Sequence, residues 1–319
     1  MYRSARRPTM YFIGVTTRQS SIMRVFPEWA RRLGLGDCAI VGMDFVPHDK
    51  PEAYREAVRF IKEDENSLGA LVTTHKVDLL GACRDLFDEL DPYATLLGEV
   101  SSISKRDGAL VGHAKDPITS GLALAAFLPP DHWASTGAEA FIIGAGGSSM
   151  ALTWHLMNAE DCPSRIVVSN RSTPRLDEMR RLHKQLATGV PVEHRHAPRP
   201  EQNDGILSGL KAHSLVVNAT GLGKDAPGSP LTRNADFPDH GLVWDFNYRG
   251  ELRFLEQAKA QSAARHLHIE DGWVYFIHGW TQVIAEVFDI DIPSTGPGFD
   301  ELSRIAAATR ASQQSSQHA

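Results

Sequence analysis

Residues 138–151, AEAFIIGAGGSSMA, constrain this chain more than any other stretch. Residues 141–143 are a short apolar run with β propensity. The run ends in Gly144-Ala145-Gly146-Gly147, and Ser148-Ser149 lead into a helix-like segment from Met150. Strand, glycine turn, helix is the order a dinucleotide site requires. The glycines let the backbone turn tightly and approach a pyrophosphate, and the helix N-terminus aims unpaired N–H groups at its charge. Ser149 stands where the fingerprint has its third glycine, and it is small enough for close helix packing.

A second strand is expected over 165–168, about one βαβ repeat further on. It runs into Ser169-Asn170-Arg171-Ser172-Thr173. An NAD site normally places an acid here for the ribose hydroxyls, but the first acid is Asp177. Arg171 sits where a 2′-phosphate would lie, with Arg175 one helical turn on, which points to NADP. The alternative is an Asn cap followed by solvated arginines.

The 319 residues, 42% of them hydrophobic, suffice for two domains with real cores. A net charge of −6 gives no support for a nucleic-acid or membrane partner. Cys38, Cys83 and Cys162 are odd in number and widely spaced, so they form neither a disulfide framework nor a zinc motif. No secretory apolar region follows Met1, and no apolar run approaches the roughly 18 residues of a membrane span. The expectation is a cytoplasmic enzyme, monomer or homodimer, acting on a small molecule.

Ahead of the glycine turn, strands are expected at 9–15, 39–46 and 70–72, with helices at 26–33, 51–63 and 78–90. Residues 99–104 and 109–112 read as a hairpin around Lys105-Arg106-Asp107-Gly108. A helix over 119–127 leads to Pro129-Pro130, which opens the next domain. Later strands are expected at 214–218 and 242–246, a helix at 251–263, and a helix at 274–290 that folds back on the first domain. The fold class is therefore α/β: an N-terminal α/β substrate domain, a Rossmann-like dinucleotide domain and a C-terminal helix returning to the first. The expected boundaries are 1–125 completed by 270–311, then 126–269, with 312–319 a polar tail that builds no core.

In this order the segments resemble the shikimate dehydrogenase and quinate/shikimate dehydrogenase family over roughly residues 11–290. The family's glycine turn matches Gly144-Ala145-Gly146-Gly147-Ser148-Ser149, and its Asn-Arg-Thr phosphate motif is similar to Asn170-Arg171-Ser172. Its Asn-Ala-Thr-Pro-Leu-Gly-Met stretch resembles Asn218-Ala219-Thr220-Gly221-Leu222-Gly223-Lys224, and its Asp-x-x-Tyr segment resembles Asp245-Phe246-Asn247-Tyr248. The resemblance implies cofactor contacts from Gly144 to Ser149, from Asn170, Arg171, Ser172 and Arg175, and from Asn218, Ala219, Thr220 and Gly221.

It also implies a Lys and an Asp flanking the reacting hydroxyl. The Lys of Asn-Val-Thr-x-Pro-His-Lys falls on Lys76, and the Asp of Gly-x-Asn-Thr-Asp falls on Asp116. Alcohol oxidation by hydride transfer needs a group to take the hydroxyl proton, and a lysine facing a carboxylate serves. The substrate positions depart from the family. Of Ser-x-Ser, Ser20 remains and Ile22 replaces the second serine. Ala70 and Val72 replace an Asn and a Thr, and Thr74 replaces the Pro before His75. Ser101 replaces an amide, and His278 the late Gln; Thr73 and Tyr248 complete the expected substrate contacts. A pocket stripped of amides leaves a polyhydroxylated ring with unpaired groups. The reading is an NADP-dependent oxidoreductase on a cyclic hydroxy or keto acid other than shikimate. The alternatives are true shikimate or quinate dehydrogenation, or a non-catalytic dinucleotide-binding protein.

Overall fold

The computed structural model describes residues 2–186, 188–224 and 226–317, the side chains of 311–317 excepted. The chain divides into two compact units, Met1–Lys115 with Ile277–Ala319, and Asp116–Phe276.

The first unit alternates β1 (Thr9–Gly14), α1 (Ile22–Leu33), β2 (Ala39–Asp44), α2 (Pro51–Glu63), β3 (Ser67–Val72) and α3 (Lys76–Cys83). It continues with β4 (Glu89–Leu90), α4 (Pro92–Leu97), β5 (Ser102–Arg106) and β6 (Ala109–His113). The sheet order is β2-β1-β3-β5-β6-β4. The first three strands are parallel, and β5 and β6 run antiparallel as the expected hairpin. Asp107 (φ 50°) and Gly108 (φ 85°) make its turn; two successive positive φ values match the twist of the flanking strands.

Two helices differ from the sequence reading. α1 starts four residues earlier, so Pro27 lies inside it. An interior proline costs about 3 kcal/mol. Burial of Ile22, Val25, Phe26 and Trp29, each at most 1% exposed, offsets that cost. The helix expected to reach residue 90 stops at Cys83, because Glu89 and Leu90 pair with Val111 and Gly112 on the edge of β6. The helical spacing of Leu79, Leu80 and Cys83 continues into Leu86 and Phe87, but strand pairing overrides it.

The second unit holds α5 (Asp116–Ala125), α6 (His132–Thr136), β7 (Ala140–Ile143), α7 (Gly147–Asn158), β8 (Ile166–Asn170), α8 (Thr173–Leu186) and β9 (Val192–His196). After these come α9 (Pro200–Leu207), β10 (Leu215–Asn218), β11 (Leu242–Asp245), α10 (Arg253–Lys259), α11 (Ser262–Arg265) and β12 (His268–Glu270). All six strands are parallel, in the order β9-β8-β7-β10-β11-β12. That is the doubly wound order, and its direction reverses between β7 and β10. The helix expected over 251–263 is two short helices, α10 and α11.

The chain passes back to the first unit within α12 (Trp273–Phe288) and ends in α13 (Gly296–Gln317). Trp280 packs edge-on against Phe12 of β1, with ring centroids 4.9 Å apart. Trp29 Nε1 of α1 donates to the Leu302 carbonyl at 2.9 Å, and Arg32 pairs with Glu301 at 2.5 Å. The C-terminal helix thus returns to the first unit, as expected. Of the polar stretch 312–319, residues 318 and 319 and all the side chains lie outside the described residues.

Candidate active site

In the second unit the glycine turn lies at the point where strand order reverses. Gly144 follows β7 with φ 117°, and a Cβ there would sit 2.8 Å from the Ala219 carbonyl oxygen, just past β10. Only glycine lets these two strand ends approach so closely. A Cβ on Gly146 would meet nothing within 4 Å, so the backbone faces open space there. The first helical bond of α7 runs from Met150 N to Gly146 O at 3.0 Å. The N–H groups of Gly147, Ser148 and Ser149 therefore lie outside the helix ladder. Open backbone in front of a helix N-terminus suits a pyrophosphate, so the residues present fit a dinucleotide.

Beside it, Asn170 closes β8, and its Nδ2 donates to the Ser172 carbonyl at 3.0 Å. Arg171 is exposed, and its carbonyl bonds His196 Nε2 at 3.2 Å. Arg175, on the first turn of α8, is paired with Glu178 at 2.9 Å. On the other side of β7, Asn218 is fully buried. Its Oδ1 accepts from the Thr220 N–H and hydroxyl, and its Nδ2 donates to Asp245 Oδ2 at 3.1 Å. Asp245 Oδ1 accepts from Asn247 N at 2.8 Å and Nδ2 at 2.9 Å, and Asn247 Nδ2 also reaches the Thr220 carbonyl. Asp245 thus ties the loops after β10 and β11 together. Sequence reasoning quoted this residue in a motif without giving it a role; an acid ending an apolar strand was the signal.

Burial pushes the Asp245 carboxyl up to about 7, against hydrogen bonds from Asn247 and Asn218 that pull it down. An unfolded aspartate titrates near 3.9. Between those values the folded chain keeps a proton that the unfolded chain has released, so this residue's contribution to stability falls as pH rises from about 4 to 7. Buried His183 and His278, each pushed down to about 4, contribute with the opposite sign, so the effect is read as a difference between proteins. Asp245→Asn should gain on wild type by up to about 4 kcal/mol as pH rises through that window. Urea unfolding at pH 4.5 and 7.5 measures it. A difference independent of pH would mean that the carboxyl is ionised throughout.

Asp116 opens α5 and is 6% exposed. Its Oδ2 accepts from Ser148 Oγ on the first turn of α7 at 3.1 Å, and from Tyr275 Oη at 3.0 Å. Neither partner was foreseen; Tyr275 lies 159 residues away, and its one sequence signal is its place three residues before His278. Tyr248 is half-buried and packs against Phe276 and Trp273, with ring centroids 4.7 and 5.4 Å away.

In the first unit, Lys76 is the first residue of α3, just past β3. Thr73 N and Oγ1 both donate to the Ile13 carbonyl, at 3.0 and 3.2 Å. His75 is 1% exposed and shares a 2.9 Å hydrogen bond with Tyr54 Oη, and burial lowers its pKa. Ser20 is buried at the foot of α1. Ser101 Oγ accepts from Lys115 N at 2.7 Å and lies 3.4 Å from the His113 carbonyl, so this hydroxyl is engaged within its own sheet. His278 is 3% exposed and stacks on Phe299 at 4.3 Å, and its Nδ1 has no hydrogen-bond partner among the described residues. Lys115 and Arg106 hold Glu286 of α12 at 2.5 and 2.9 Å, fastening the hairpin to that helix.

One unit with doubly wound order and a glycine turn at its switch point defines a dinucleotide-binding protein; the other is a mixed sheet of its own. No family model matches the chain. It is 31% identical over 246 residues to a Bacillus cereus protein named shikimate dehydrogenase (NADP(+)), covering 77% of this chain and 81% of that protein. A Lactococcus lactis protein of the same name is 30% identical over 177 residues, covering 55% of this chain and 59% of that protein, less than two thirds of its length. The chain belongs to the shikimate dehydrogenase family. The same fold is seen in shikimate dehydrogenase from Aquifex aeolicus, with a TM-score of 0.71 at 18% identity, over 96% of this chain and 99% of that one. It is seen again in 5-ketofructose reductase of Gluconobacter sp., with a TM-score of 0.67 at 18% identity, over 95% and 99%.

Proposed function

We propose that the protein is an NADP(H)-dependent oxidoreductase interconverting a cyclic hydroxy acid and its keto form, on a ring less hydroxylated than shikimate. The observation that carries this reading is the Ser148–Asp116 hydrogen bond. It ties the acid that the family uses at the reacting hydroxyl to the first turn of the cofactor helix. NADP(H), when bound, supplies or accepts the hydride. Gly144 to Ser149 hold the pyrophosphate, and Arg171 holds the 2′-phosphate. Asp116, oriented by Tyr275 and Ser148, positions the substrate hydroxyl. Lys76 donates a proton to the carbonyl oxygen in reduction and accepts it in oxidation.

The substrate reading rests on lost partners. Ala70 and Val72 offer no hydrogen bonds, Ile22 is fully buried, and the Ser101 hydroxyl is engaged within its sheet. His278 offers a ring nitrogen where the family has an amide. Each buried hydroxyl left unpaired costs about 1–3 kcal/mol, so shikimate should be the poorer substrate by at least about tenfold in kcat/KM. NADP reduction with shikimate, quinate and singly hydroxylated ring carboxylates is the test. Shikimate as the best substrate would favour the second reading, for which the names of the relatives speak. No turnover with any ring acid would sink both.

A further inference from the structure

We propose that Asp239, His240 and His266 form a site for one divalent transition-metal ion of the zinc, nickel and copper class. It lies at the N-terminal edge of the second unit's sheet.

The site follows from strand register. Leu215, Leu242 and His268 are register partners at the starts of β10, β11 and β12. Two residues before each lies a histidine: His213, His240 and His266. All three adopt positive φ, 66°, 54° and 52°, a conformation that residues with a Cβ take rarely. His213 N donates to the Asp239 carbonyl at 2.8 Å, and His240 N to the Arg265 carbonyl at 2.7 Å. The same turn therefore repeats on adjacent strands. Neighbouring strands lie about 4.8 Å apart. The imidazoles stack at that spacing, with centroids 5.0 and 4.7 Å apart and planes within 11° and 13° of parallel.

Stacked rings present their nitrogen edges side by side, and Asp239 lies against two of them. Its Oδ1 is 3.7 Å from His266 Nδ1, and its Oδ2 is 4.0 Å from His240 Nε2. One donor atom from each of the three residues lies within 4.8 Å of the others. A tetrahedral zinc with ligands at about 2.0–2.1 Å holds them roughly 3.3 Å apart. The lone pairs of parallel rings do not converge, so closing the set requires the exposed His240 and His266 side chains to turn out of the stack toward Asp239. Two imidazoles and one carboxylate suit zinc, nickel or copper rather than magnesium or calcium, which prefer oxygen ligands. The parallel strands put the glycine turn at the opposite edge of the sheet. The ion therefore acts as a clamp across the starts of β11 and β12, apart from hydride transfer.

Isothermal titration of the full chain with Zn²⁺, any affinity tag removed, tests the site. One ion per chain should bind, and Zn²⁺, unlike Mg²⁺, should raise the melting temperature. His240→Ala and His266→Ala should each weaken binding at least about tenfold, and Asp239→Asn should weaken it less. Circular dichroism checks folding, and His240→Gln replaces any alanine variant that fails to fold. Absence of saturable Zn²⁺ binding, or equal binding by wild type and the variants, would overturn the proposal.

Discussion

Lys76→Met is expected to lower turnover by about 10²–10⁴-fold and to leave NADP(H) affinity near wild type. Methionine keeps much of the stem volume and removes the proton carrier. The backbone around residue 76 is held independently of its side chain: Lys76 N lies 3.3 Å from the Thr73 carbonyl, and the Lys76 carbonyl accepts from Val100 N at 3.2 Å. The substitution should therefore act on chemistry rather than on fold. His75, the neighbouring titratable group, is a poor substitute, because it is 1% exposed and bonded to Tyr54, and burial lowers its pKa. Lys76→Arg separates the roles further. It keeps the positive charge, but a guanidinium does not release a proton in this range, so its turnover should also fall. Steady-state rates beside a fluorescence titration of NADPH measure both quantities. Near-wild-type turnover with intact binding would move the acid–base role elsewhere, first to Tyr248 or His278.

Arg171→Ala should weaken NADP binding about 10- to 100-fold and change NAD binding little. Hydrogen bonds between charged groups contribute about 1.5–3 kcal/mol, and 1.4 kcal/mol is tenfold. The loop should survive the truncation, since Asn170 bonds the Ser172 carbonyl and His196 bonds the Arg171 carbonyl. Arg175 is paired with Glu178, so Arg171 should carry most of the 2′-phosphate interaction and Arg175→Ala should cost less. Binding of the two cofactors to both variants checks this. Equal losses for NADP and NAD would show that Arg171 is not a phosphate ligand.

The sequence by itself determined what local chemistry controls. Gly144 could be read as a turn because a short apolar strand and a helix flank it. Asp107-Gly108 could be read as a hairpin because two positive φ values suit those residues. Pro51–Glu63 could be read as a helix because proline opens it and Tyr54, Val58 and Ile61 recur at helical spacing. The alternation of strands and helices placed the cofactor unit mid-chain, and the one helix read after it, over 274–290, was expected to return to the first unit; the helix Gly296–Gln317 was not read from the sequence.

The tertiary structure alone decided the rest, wherever the controlling partner is distant. β9 and β12 are short, polar strands at the two edges of their sheet, and their pairing comes from the neighbouring strand rather than from an apolar pattern. The helical spacing after Cys83 gave way to the free edge of β6. Asp116 could be named from the sequence, but Ser148 and Tyr275, which hold it, could not, because they lie 32 and 159 residues away. The histidine stack is invisible along the chain, where its members are 27 and 26 residues apart. Strand register sets them at one strand spacing, because hydrogen bonding between parallel strands aligns residues that the sequence separates.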